Sequence, residues 1–302
     1  MKDMKVTILS LVDYAGSGYK LCEALKKVID VDLFTGPNSN AFNHPIRNII
    51  TEYNTHLVQQ RIDDSDIIHL KGDWPPLIYE QHFKLRIKHK PIVVTVSGSL
   101  FRLRHHGGLG IYPFDLYDCH RTSFEPDLCY EGFTDVWMPH PIDSIDKPNS
   151  WTQGNILSHS PTQRRKKNSD FILRVFDKLP ECDIRLIEGI DHREAIKQRR
   201  ESTIFFDQFL VGFYGNAAIE AMQYGIPTAA FLSPDAISQA KGGLRDCPII
   251  NEPLNVLKWA EMIKRLLDSD MTELSKRTKE YCDRVHSYES VAEKWINYYK
   301  AL

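Results

Sequence analysis

The chain alternates short β-branched runs with longer stretches of helical period, and it does so twice over. The clearest run is Pro91-Ile92-Val93-Val94-Thr95-Val96. A strand that is apolar on both faces belongs inside a parallel sheet covered by helices on both sides. Runs at 6–9, 31–34 and 67–70 precede it, and a helical stretch carrying Leu21, Leu25 and Val28 lies between the first two. The stretch 112–135 reads as irregular, and the polar segment 143–154, with Pro148, Asn149 and Ser150, reads as a linker. A second series follows. Strands are expected at 156–157, 184–187, 203–206, 228–231 and 249–250. Helices are expected at 169–179, 193–201 and 216–224, the last stopped by Gly225 and Pro227, with three closing periods at 254–268, 270–285 and 287–299. Two βα series predict an α/β chain with two helix-covered parallel sheets.

Composition narrows the class. The 302 residues fit about two domains. The 38 Lys and Arg nearly cancel the 40 Asp and Glu, which excludes a globally basic nucleic-acid binder, and 42% apolar residues exclude disorder. Six scattered cysteines make no disulfide framework, so a cytoplasmic setting is expected. No run of 18 apolar residues exists, so no transmembrane helix is expected, and residues 1–10 read as a first strand rather than a signal peptide.

Two glycine turns suit phosphate. Gly16-Ser17-Gly18 follows the first strand and opens a helix, whose N-terminal N–H groups and dipole favour an anion. The third glycine of a dinucleotide fingerprint is missing, so a plain βα turn is the competing reading. The second turn, Gly212-Phe213-Tyr214-Gly215, precedes the helix at 216–224. Asn216 is expected to cap that helix, leaving the N–H groups of Gly215, Asn216 and Ala217 for phosphate oxygens. Glu220, one turn further in, could accept from two sugar hydroxyls, or could be an exposed helix acid. Upstream, Arg164-Arg165-Lys166-Lys167 sits in a loop after a strand end, where cations could clamp a diphosphate.

At these residues the chain resembles the retaining glycosyltransferases of GT-B fold, family 4 (glycosyl transferases group 1), in a compact form. Pro161, Thr162, Arg164, Lys167 and Asp170 match its Pro-Thr-x-Arg-x-x-Lys-Gly-x-Asp stretch. Gly212, Tyr214, Gly215, Glu220, Ala221, Met222, Gly225 and Pro227 match its second stretch. The resemblance implies two Rossmann-like domains with a cleft between them: an acceptor-side domain at 1–147, a nucleotide-sugar domain at 148–284, and a last helix at 285–302 crossing back to the first domain. It implies that Arg164 and Lys167 stabilise the departing diphosphate and that Glu220 binds the donor ribose. The N–H groups after Tyr214 would hold the distal phosphate, and Gly16, Ser17 and Gly18 would face the diphosphate. The donor would be a UDP or GDP sugar acting as co-substrate, with no cofactor and no metal. Three positions depart from the family: Gly212 replaces a Glu that contacts the transferred sugar, Ser97 replaces a His near the reacting carbon, and Asn168 replaces a Gly. Ser97 and His105 stand as the catalytic candidates of the first half.

The stretch 84–106 holds six Lys and Arg, three His and no acid. An anionic acceptor is expected there, with Lys88, Arg102, Arg104 and His106 as contacts: a lipid-linked sugar, a charged saccharide or a nucleic acid. A solvated helix face followed by a loop is the competing reading. A DNA- or RNA-modifying glycosyltransferase and a non-catalytic nucleotide-sugar binder are the alternative functions, and a lipid acceptor would place the protein at a membrane surface. Cys119, His120 and Cys129 with His105 or His106 lack the spacing of a zinc finger. Trp295, Tyr298 and Tyr299 have helical spacing and are expected to dock the last helix.

Overall fold

The computed structural model describes residues 4–37, 45, 48–72, 74–96, 118–129, 134, 136–143, 150–241, 243–244 and 246–302. Two compact units make up the chain: Met1–Asp143 with Tyr288–Leu302, and Ser144–Ser287.

The first unit is built on a parallel six-stranded sheet of β1 (Lys5–Ser10), β2 (Asp30–Thr35), β3 (Ile67–Lys71), β4 (Ile92–Val96), β5 (His120–Ser123) and β6 (Val136–Trp137), in the order β2-β1-β3-β4-β5-β6. Alternation along the strands feeds two cores. Val6, Ile8, Val31 and Val93 face α1 (Ser17–Leu25) and the C-terminal helix Tyr288–Lys300, while Leu9, Ile68, Ile92, Val94 and Val96 face α2 (Thr55–Asp64) and α3 (Pro76–Phe83). Burial on both faces is why 91–96 contains no charged residue. The strand order reverses between β1 and β3, and ligands in such sheets bind beyond the strand C-termini at that point. Strand β5 falls inside the stretch read as irregular. Its His-Arg-Thr-Ser sequence lacks an apolar run because Thr122 and Ser123 are buried through hydrogen bonds to their neighbours rather than through apolar contact.

A polar ladder ties the last helix to this sheet. The buried His69 ring bonds Tyr299 Oη at 2.6 Å through Nδ1 and Thr95 Oγ1 at 2.6 Å through Nε2, and Thr95 continues to Thr122 at 2.9 Å. Burial drives the His69 pKa down to about 3, so the ring is neutral. Trp295 packs on the same ring, tilted by 39° at 4.7 Å between centroids, so the C-terminal aromatics dock the helix as expected.

The second unit has a parallel sheet of β7 (Ile156–His159), β8 (Asp183–Leu186), β9 (Ile204–Phe206) and β10 (Thr228–Ala229), ordered β10-β9-β7-β8. The run 228–231 yields only a two-residue strand, and Ile250 joins it by a single bridge to Ala229. Its switch point lies between β7 and β9. The helices are α4 (Arg164–Lys167), α5 (Ser169–Phe176), α6 (His192–Arg200), α7 (Asn216–Met222), α8 (Pro234–Gln239), α9 (Val256–Leu267) and α10 (Thr272–His286), with α11 (Tyr288–Lys300) returning to the first unit. Leu157, Ile204 and Phe206 pack on α5 and α9, and Phe205 packs on the α7 side. None of the helices among the described residues is long and apolar enough to cross a membrane.

His159 closes β7. Its Nδ1–H donates to the Phe206 carbonyl at 2.9 Å, which leaves Nε2 to accept from the Ser169 hydroxyl at 2.7 Å. Burial lowers its pKa to about 4, against about 6.5 in an unfolded chain. Between those values the unfolded chain binds a proton that the native state refuses, so this contribution is complete above pH 6.5 and is lost as pH falls toward 4. The loss from this group is about 3 kcal/mol. Urea unfolding at pH 7, 5.5 and 4 should show a shallower pH slope for His159→Asn than for wild type, and equal slopes would contradict the assignment.

Candidate functional site

The two glycine turns end differently. In the first unit, Asp13 follows β1 and its carboxylate accepts from Gly18 N–H at 2.6 Å and Tyr19 N–H at 2.9 Å, at the start of α1. Gly16 N–H donates to the Asp13 carbonyl and Ser17 Oγ–H donates to the Tyr14 carbonyl. Lys71, the last residue of β3, sets its ammonium 3.0 Å from Asp13 Oδ1, and both side chains are fully buried. This is an ion pair off the hydrogen-bond angle, so Lys71 Nζ lacks a well-directed acceptor. A Cβ on Gly18 would stand 2.9 Å from Asp13 Oδ1, so only glycine admits the carboxylate here. The chain's own carboxylate thus takes the Gly18 and Tyr19 amides at the start of α1, the turn that the family resemblance set facing a diphosphate.

In the second unit the corresponding pair is Lys167 and Asp207. Arg164–Lys167 is one helical turn rather than the expected loop, and it is turned into α5 by Asn168 at φ 55, ψ 48. Asparagine tolerates that left-handed backbone better than most residues, which explains how it stands where the family has glycine. Lys167 Nζ donates to Asp207 Oδ1 at 2.5 Å, and Asp207 Oδ2 accepts from Gly215 N–H at 2.5 Å. Asp207 directly follows β9 and is buried, while the Lys167 side chain is 15% exposed. The ammonium is thus fixed beside the start of α7, on a side chain that is partly exposed. Arg164 is half-exposed and forks onto Glu188, Nε to Oε2 at 3.0 Å and Nη2 to Oε1 at 2.6 Å. The pairing raises the Arg164 pKa and lowers that of Glu188.

Gly215, not Asn216, is the N-cap of α7, and no side chain caps it. Its N–H is held by Asp207, so the first-turn amides open to a ligand are those of Asn216 and Ala217. Tyr214 offers no side chain to a ligand. It is buried, with its hydroxyl bonded to Tyr281 Oη at 2.8 Å and His286 Nε2 at 2.9 Å, and it stacks on buried Phe213 at 4.1 Å. Gly212 has φ +81, and a Cβ there would meet Ser233 Oγ at 2.7 Å. A glutamate at this position would need both a strained backbone and displacement of α8's capping serine, whose Oγ accepts from Ala236 N–H.

Glu220 is buried rather than an exposed helix acid. Arg199 Nη2 donates to its Oε2 at 2.7 Å and His192 Nε2 donates to its Oε1 at 3.0 Å. Asp207, Arg199, His192, Asp13 and Lys71 were not singled out by the sequence motifs. For Asp207 the available signal was an acid immediately beyond a buried strand; for Asp13, three residues past β1, and for Arg199 and His192 there was none.

Lys88 stands before β4, toward the N-terminal end of the strand, away from the C-terminal edge where the acceptor was expected. With Asp63, Glu80, Lys84, Arg86, His89 and Lys90 it lines an open groove of about 820 Å³. Lys88 pairs with Glu80 at 3.1 Å and His89 with Asp63 at 3.2 Å, so the two acids offset part of the charge of Lys84, Arg86, Lys88 and Lys90 and the groove stays net basic. Ser97, Arg102, Arg104, His105 and His106 lie outside the described residues.

Removing one partner of a buried ion pair leaves an uncompensated charge, at a cost of about 3–5 kcal/mol. Asp13→Ala should lose stability on that scale in urea unfolding, and Asp13→Ala with Lys71→Met should regain most of it. A single-variant loss under about 1 kcal/mol would contradict the burial of this pair.

The sequence matches no protein-family model and no curated protein. Solved structures match it in shape. HepE from Anabaena, in complex with UDP-glucose, superposes with a TM-score of 0.66 at 11% identity, covering 99% of this chain and 100% of that one. A glycosyltransferase from Rickettsia africae gives 0.66 at 11% identity, with 100% and 99% covered. Sucrose-phosphate synthase from Thermosynechococcus elongatus gives 0.59 at 12% identity, with 99% and 98% covered. At these identities the likeness is one of fold, and the chain has the two Rossmann-like domains of the GT-B glycosyltransferases.

Proposed function

We propose that the protein is a glycosyltransferase that moves a sugar from a nucleoside-diphosphate sugar to an acceptor hydroxyl, with retention of anomeric configuration and without a metal ion. The observation that carries this reading is the Lys167–Asp207–Gly215 contact at the switch point of the second unit, one helical turn from the clamped Glu220. UDP and UDP-glucose occupy HepE, and that makes a UDP sugar the first donor to test.

Breaking the anomeric C–O bond builds positive charge on the sugar and negative charge on the departing diphosphate. A protein accelerates this step by holding cations where the negative charge grows. Lys167 has three donors, of which Asp207 takes one and fixes the direction of the others. Arg164, tethered by Glu188, supplies a second cation on the same helical turn, and the amides of Asn216 and Ala217 add two donors. The positions of these cations support a metal-free mechanism, and the family resemblance supports retention. Glu220 accepts from the ribose hydroxyls.

One observation favours a second reading, a nucleotide-sugar binder without transfer activity. Gly212 leaves no carboxylate for the transferred sugar, and the packing of Ser233 leaves no room to restore one.

With UDP-sugars as donors, Lys167→Ala should lower kcat by about 100- to 1000-fold, as loss of an oxyanion donor does. Glu220→Ala should instead raise KM for the donor. NMR of the product should show the anomeric configuration of the donor. An unchanged kcat in Lys167→Ala would overturn the assignment, and UDP binding without turnover on any donor would select the second reading.

A further inference from the structure

A carboxylate inside a protein is costly unless paired, and Glu220 is 7% exposed. Two of its partners come from α6. His192 is the first residue of that helix and Arg199 the eighth, so they lie two turns apart on one face. Asp191 caps α6 by accepting from the N–H groups of Arg193 and Glu194, which fixes the start of the helix and with it the His192 backbone.

The two partners differ in setting. Arg199 is 4% exposed, lies over the Phe205 ring at 5.9 Å, and has a buried Nε with no acceptor. Its charge-assisted bond to Glu220 Oε2 offsets part of the cost of burying the guanidinium. His192 is on the wet side, with a side chain 27% exposed, and it stands beyond the C-terminal end of β8, on the edge of the sheet where Asp207 follows β9. Since a carboxylate only accepts, His192 carries its proton on Nε2 when it bonds Oε1.

We infer that Arg199 is a positioning residue that fixes the Glu220 carboxylate for a ribose diol, and that His192 is the exchangeable partner whose side of the carboxylate the diol takes. The inference rests on the reading of Glu220 as the ribose acceptor. It makes α6, which no motif marks, the source of selectivity for ribonucleotides over deoxyribonucleotides. An anchored carboxylate presents both oxygens at fixed spacing to vicinal hydroxyls, and a loose one does not.

The test is calorimetric titration of the full chain with UDP and with 2′-deoxy-UDP. Wild type should prefer UDP by about tenfold, the worth of one well-formed hydrogen bond to a charged acceptor. Glu220→Gln and Arg199→Met should each bring the ratio to about 1–2, while Arg199→Lys, which keeps the charge, retains part of it. His192→Ala should keep the preference and bind UDP no more weakly than wild type. Because Arg199→Met removes a buried charge beside Glu220 and lowers stability, Arg199→Lys, which keeps a cation there, carries the test if Arg199→Met does not fold. If wild type binds no nucleotide, the reading of Glu220 falls and the inference with it. If Glu220→Gln abolishes the preference but Arg199→Met keeps it, the ribose reading stands and the positioning role is overturned. A loss of preference in His192→Ala would overturn the exchange.

Discussion

The contact between Lys167 and Asp207 is the constraint on which the second unit's edge depends. Asp207 has two carboxylate oxygens, and they are spent on two different elements: one on the ammonium of α4, the other on the amide that starts α7. A single buried acid after β9 therefore fixes a cation and a helix N-terminus relative to each other. The first unit carries the same pair of residue types at its own switch point, Lys71 at the end of β3 and Asp13 after β1. There the carboxylate lies across two amides of α1 and both charges are sealed from solvent. The two switch points thus use one chemistry to opposite effect: one is filled by the chain, and the other leaves its cation partly open.

Much of the fold was legible in the sequence because parallel strands must be apolar on both faces. The run 91–96 and the run 203–206 lie where strands β4 and β9 form, within a residue or two. Strand β5 was not legible, because Thr122 and Ser123 are buried by hydrogen bonding and leave no apolar trace. The glycine motifs were read correctly as turns before helices, but a motif does not say what fills the turn. Asp13 lies five residues before Gly18 and looks like any loop acid until the fold brings its carboxylate onto the Gly18 and Tyr19 amides. Tyr214 matches the family stretch, yet its ring is committed to Tyr281 and His286 on α10, partners more than sixty residues away in sequence.

The departures from the family pattern sort by physics. Asn168 is a substitution the backbone accepts, since the left-handed turn needs only a residue that tolerates positive φ. Gly212 is one the surroundings have built around, since Ser233 now packs where a Cβ would go. Of the basic stretch, Lys84, Arg86, Lys88 and Lys90 lie at the N-terminal side of β4, where Asp63 and Glu80 pair with some of them. Charge counted along a chain and charge placed on a sheet edge are different quantities, and only the second bears on a substrate.

The account's central claim is that the open Lys167–Asp207 switch point, and not the sealed Lys71–Asp13 one, takes the nucleotide. Hydrogen–deuterium exchange with and without UDP measures this most directly. The account predicts slowed exchange at Gly215–Glu220 and at the start of α6, with residues 13–19 unchanged. Slowed exchange confined to residues 13–19, or none anywhere, would contradict it.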